Sequence, residues 1–166
     1  PVGFRVEPVY LTKENGEWHY RYARDYTFKI LGSTAPKALP NTAIDIQAGD
    51  IFYGADFAPY EIIEAAKSGL FTKWRGLGVK LNVLIYDLLP ILRPEFFPAG
   101  ADLTHSTWLQ EVTKFADALI GISKAVADEL YAWLEENPPQ RQHPLKIYAA
   151  PLGADITASA PTIGLP

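Results

Sequence analysis

Four side chains in one short stretch have the types and spacing to hold a polar ligand. In VKLNVLIYDLLPILRPEFFP, residues 79–98, an apolar run ends on Tyr86 and Asp87, and Arg93 and Glu95 follow. A carboxylate accepts hydrogen bonds from ligand hydroxyls, and a guanidinium donates several in a fixed fork. Pro90, Pro94 and Pro98 stiffen the segment and, read from sequence, exclude an ordinary helix there. Two further polar residues also close apolar runs: Asp56 after DIFYG and Ser123 after DALIGI. Asp and Ser favour turns and helix caps as well. For Ser123 a helix cap is the better reading; for Asp87 both ligand binding and loop fixing stand.

These residues must be positioned by strands. Residues 79–86 form a nearly continuous apolar run behind Gly76 and Gly78, as in a strand buried on both faces of a parallel sheet. Similar short runs occur near 51–55, 118–122 and 145–150. Between them lie helical patterns. One begins at Pro59, with Tyr60, Ile63 and Leu70 on one face, and fades near Gly69. A second runs from Thr104 or His105 to Phe115 through Trp108 and Val112. A third follows Ser123, with Val126, Leu130, Trp133 and Leu134 as its apolar stripe, and stops at Asn137-Pro138-Pro139. Strands alternating with helices imply crossover connections and an α/β fold, a Rossmann-like parallel sheet flanked by helices. The carboxyl ends of such strands share one edge, where open sheets bind ligands. Asp56, Asp87, Ser123 and the Gly153/Asp155 region are thereby expected to line one crevice.

Ahead of this core, residues 5–23 read as a β-hairpin about Asn15-Gly16, both of which tolerate positive φ. Trp18, Tyr20 and Tyr22 share one face of its second arm. Cross-strand packing explains them more simply than a ligand platform, which leaves His19 as a surface histidine. Residues 32–43 read as a loop. The domain is expected to span 1–156, with its βα core at 44–156, and 157–166 to be a linker.

The chain has 166 residues, 48% hydrophobic and 20% charged, with a net charge of -4, so nucleic acid is not an expected partner. It lacks cysteine, which removes disulfides and thiolate metal sites. No apolar run is long enough to cross a bilayer. Gly76-Leu77-Gly78 precedes a strand and is no dinucleotide fingerprint, and there is neither a Walker loop nor a Gly-x-Ser-x-Gly elbow. His19, His105 and His143 have no metal-ligand spacing, and no spacing supports a triad of Ser123, His105 and Asp87. The chain starts at Pro1 without any methionine and reads as a piece of something longer.

Three segments in series, YDLLPILRPEFFP, ADALIGISKAVADELYAWL and PLGADITASAP, resemble the acceptor-side domain of retaining glycosyltransferases of family 4. Within that family they are most similar to the mannosyltransferase-like enzymes of bacterial surface polysaccharide synthesis. The resemblance covers residues 44–160. It implies one half of a GT-B fold, with the donor-binding domain absent from this chain. It further implies a parent enzyme that transfers a sugar, plausibly mannose from GDP-mannose, to a glycan or lipid-linked acceptor. The fragment alone would be inactive, since the groups gripping the diphosphate belong to the other half. No metal or cofactor beyond the nucleotide-sugar substrate is implied. The setting would be cytoplasmic, peripheral at the inner membrane face. Under the resemblance Tyr86, Asp87, Arg93, Glu95, Asp56 and Ser123 become acceptor-side binding residues, and no catalytic residue is assigned. Tyr86 stands where the family has a histidine, and a phenol does not supply an imidazole's protonation chemistry. A stand-alone Rossmann- or flavodoxin-like binding module, or an assembly domain that self-associates, are the other readings of the same residues.

Overall fold

Asn15 and Gly16 both adopt positive φ, 51° and 85°, and turn strand β1 (Val9–Glu14) into its antiparallel partner β2 (Glu17–Tyr22). The hairpin is thus set by the two residues that make it legible in sequence. The structure, a computed structural model, describes residues 5–30, 40–151 and 153. Most of the 32–43 loop, Asp155 and the 157–166 linker lie outside the described residues.

The core is a parallel sheet in the order β3 (Ile51–Gly54), β4 (Lys80–Ile85), β5 (Ala118–Gly121), β6 (Lys146–Ala149). Every neighbouring pair is parallel, as expected of a Rossmann-like half. Residues alternate across the sheet: Phe52, Leu81, Val83, Ile85, Leu119 and Ile147 join one apolar core. On the opposite face Ile51, Tyr53 and Tyr148 are exposed. The expectation that residues 51–55 form a buried strand therefore holds for one face only, because among the described residues β3 has a single partner in the sheet and Ile51 and Tyr53 remain exposed.

Helix α2 (Pro59–Lys67) starts at a proline, where the missing N–H costs nothing. It ends before Gly69, whose φ of 85° breaks the helix, and α3 (Leu70–Gly76) begins anew. Leu70 thus belongs to a second helix rather than closing the first. The proline-rich segment also departs from expectation. It folds into a one-turn helix α4 (Leu89–Leu92) and a 3-10 turn (Pro94–Phe96), each opening with a proline in its first turn. Prolines forbid helix interiors, not first turns.

Helix α5 (Ala101–Phe115) begins a turn earlier than its apolar spacing indicates and buries Trp108, Leu109, Val112 and Phe115. Helix α6 (Lys124–Glu136) buries Val126, Leu130 and Trp133, each burial contributing about 1.5–3 kcal/mol. Its first turn sits so close to β5 that a Cβ on Gly121 would lie 2.9 Å from the Ala127 nitrogen. The short helix α1 (Arg24–Ile30), which the sequence does not announce, buries no residue.

The hairpin closes the core beside β3. Tyr20 is buried, its ring 5.1 Å from Phe52 and 5.2 Å from Trp74. Phe71 stacks on Phe115 at 4.0 Å. Burial raises the Tyr20 phenol far above its usual range, with the charge of Asp56 adding to the shift. The aromatic face of the hairpin is therefore packing, and His19 lies at the surface 3.7 Å from Glu17.

Candidate functional site

The parallel register brings the carboxyl ends of the four strands to one edge, with Ile85 opposite Gly121 and Gly121 opposite Ala149. Asp56 and Phe57 leave β3, Tyr86 and Asp87 leave β4, and Ser123 leaves β5 on that edge. The strand-end logic therefore locates these residues.

Their contacts differ. The Asp87 carboxylate accepts the Leu89 N–H at 2.9 Å, which fixes the start of α4, and the side chain is half-buried. The Tyr86 hydroxyl donates to the Ala55 carbonyl at 2.8 Å, tying the β4 end to the β3 end. Ser123 accepts the Val126 N–H at 3.2 Å and caps α6. Arg93, Glu95 and Asp56 are exposed. Tyr86 and Ser123 thus spend their polar groups on the main chain, whereas Arg93, Glu95 and Asp56 present theirs to solvent.

A cleft of about 560 Å³ opens beside this group, walled by residues that the sequence did not mark as ligand-binding. Phe57, Pro59 and Tyr60 from the β3–α2 region line it together with Pro90, Phe97, Thr104 and His105. The walls are mostly aromatic and proline, with few polar groups, the usual make-up of a small-molecule pocket. None of the six residues chosen from sequence lines the cleft itself. Asp56 adjoins Phe57 in the chain, and the segment Asp87–Glu95 surrounds Pro90.

His105 is the one ionisable imidazole in that wall. It is 8% exposed, stacked on Phe57 at 5.0 Å and 26°, and edge-on to Trp108 at 5.4 Å. Burial lowers its pKa below the ordinary 6.5; the Asp87 carboxylate and backbone oppose that shift but do not cancel it. Two ring nitrogens here, His105 Nε2 and Trp108 Nε1, are buried without a hydrogen-bond partner among the described residues. Sequence spacing placed His105 at a helix start and supported neither a metal-ligand nor a triad role for it. A histidine one turn before a buried tryptophan, in the helix that follows the Asp87 loop, is the signal that was there to be used.

Among the described residues no helix is long and apolar enough to cross a membrane. Over 167 aligned residues the chain is 30% identical to the serotype-specific mannosyltransferase WbdA of Escherichia coli, and 31% identical to another WbdA of that species. Each alignment takes in 99% of this chain and 19% of the relative, so the chain spans about one fifth of the length of these curated relatives. No family model matches the chain, and no solved structure matches it. The alignments relate the chain to glycosyltransferases.

Proposed function

We propose that this chain is the acceptor-side part of a retaining, GT-B mannosyltransferase of bacterial surface polysaccharide synthesis. The observation that carries this reading is 30% identity to a mannosyltransferase spread over 99% of the chain rather than confined to one motif. A Rossmann-like sheet with an apolar cleft at the carboxyl edge supports it. In the whole enzyme the donor, GDP-mannose, is held by a separate domain, whose cations and helix termini stabilise the departing diphosphate. The half described here orients the acceptor. The C–H faces of a pyranose ring suit the walls around Phe57, Tyr60 and Phe97, and ring hydroxyls suit Asp56, Asp87, Arg93 and Glu95 at the rim. The work is done at the cytoplasmic face of the membrane, on a glycan or lipid-linked acceptor.

NMR titration of the 166-residue chain with an α-linked mannobiose, alongside an assay with GDP-mannose, tests this. The disaccharide is expected to shift the signals of Tyr60, Phe97 and Thr104, and GDP-mannose is expected to be left intact. No response to mannobiose at the cleft overturns the acceptor-side reading. Turnover of GDP-mannose by the pure chain overturns the assignment of the donor machinery to another domain.

A further inference from the structure

We infer that His105 Nε2 is the group that binds a hydroxyl of the acceptor saccharide, which makes His105 the specificity-determining polar contact inside the apolar cleft. The inference rests on the acceptor-side reading and adds to it a residue that neither the strand-end pattern nor the family resemblance supplies.

The argument starts from an unmet hydrogen bond. A buried polar atom without a partner costs about 1–3 kcal/mol, so such atoms are rare unless something else satisfies them. Two occur side by side here: Nε2 of His105 and Nε1 of Trp108, on rings 5.4 Å apart in α5. His105 also lines the cleft. A neutral imidazole presents Nε2 as a donor or as an acceptor, according to its tautomer. The indole N–H of Trp108 is a donor only. A hydroxyl both donates and accepts, so it can answer the unmet imidazole nitrogen in either tautomer.

The surroundings specify what carries the hydroxyl. The wall next to His105 is Phe57, Tyr60 and prolines, a surface for C–H groups rather than charges. A ring with an apolar face and hydroxyls at its edge, a pyranose, matches both features. Phe57 lies over the imidazole and is 43% exposed on the β3–α2 connection, so a hydroxyl reaching Nε2 requires that ring to turn outward.

The test compares the wild-type chain with His105→Phe, using an α-linked mannobiose as the probe. Phenylalanine keeps a flat ring against Phe57 and Trp108 and deletes only the nitrogens, so the variant is expected to melt no lower than the wild type. Its mannobiose affinity is expected to fall about tenfold. In the wild type, mannobiose is expected to move the 15N signal of His105 Nε2, a readout that a purely structural histidine would not give. If wild type binds mannobiose and His105→Phe binds it equally, or if the Nε2 signal does not move, the inference is overturned while the acceptor-side reading survives. If wild type does not bind mannobiose at all, the reading itself falls and takes the inference with it.

Discussion

The molecule contains two aromatic clusters built from the same kinds of ring and put to opposite use. Under the hairpin, Tyr20, Phe52, Phe71 and Trp74 pack with centroids 5.1–6.5 Å apart, and no ring nitrogen of that cluster is both buried and without a partner among the described residues. At the carboxyl edge, Phe57, His105 and Trp108 pack just as closely, at 4.9–5.4 Å. There, two ring nitrogens are left without partners beside an open cleft. Packing distance does not distinguish a core from a site. Unmet polarity beside an open cleft does, because Arg24 Nε and Arg75 Nε are also buried without partners but lie outside the cleft wall.

Breaking the first cluster has the largest expected effect. Trp74→Ala removes a buried ring touched by Tyr20, Phe52 and Phe71, and is expected to cost about 3–5 kcal/mol in urea unfolding. A loss below about 1 kcal/mol would mean that the hairpin does not seal the core.

In the second cluster the expected change is smaller and depends on pH. Burial holds the His105 imidazole below its ordinary 6.5 in the folded chain. As pH falls through about 6.5, the unfolded chain takes up a proton that the folded chain refuses, so folding weakens from there down toward the depressed value. Above that window the group has no effect. His105→Phe removes this term. Relative to wild type, its unfolding free energy is therefore expected to gain between pH 7.5 and pH 5.5, and a constant difference across that range would show an imidazole free to ionise.

The smallest expected effect is that of Asp87→Asn. The amide still accepts the Leu89 N–H, so stability is expected to change by no more than about 0.5 kcal/mol. The lost carboxylate charge had been raising the His105 pKa, so NMR titration of His105 is expected to show its midpoint moving to lower pH. An unmoved midpoint would separate Asp87 from the second cluster and return it to loop fixing alone.

Local pattern was enough for much of this architecture. The Asn15-Gly16 turn, the short apolar runs that became β3 to β6, and the stripe of α6 are each written in a few consecutive residues. Such features are legible because strand and helix periods are local properties of the chain. Helix α1 was not legible, since it buries nothing and so carries no stripe. The one-turn helices at Pro90 and Pro94 were missed because a proline within the first turn of a helix looks, in sequence, like a proline that ends one.

The sequence by itself determined the parallel α/β scheme, the hairpin and the edge on which Asp56, Tyr86, Asp87 and Ser123 emerge. Those follow from hydrophobic alternation and from the handedness of crossover connections. Only the tertiary structure decided which of the polar residues are spent on the backbone and where the cleft opens. Phe57 follows β3 and His105 lies in α5, distant in the chain, and their contact exists only once α2 and α5 pack together on the sheet. A nitrogen becomes unpartnered through what surrounds it on every side, and no spacing along a chain records that.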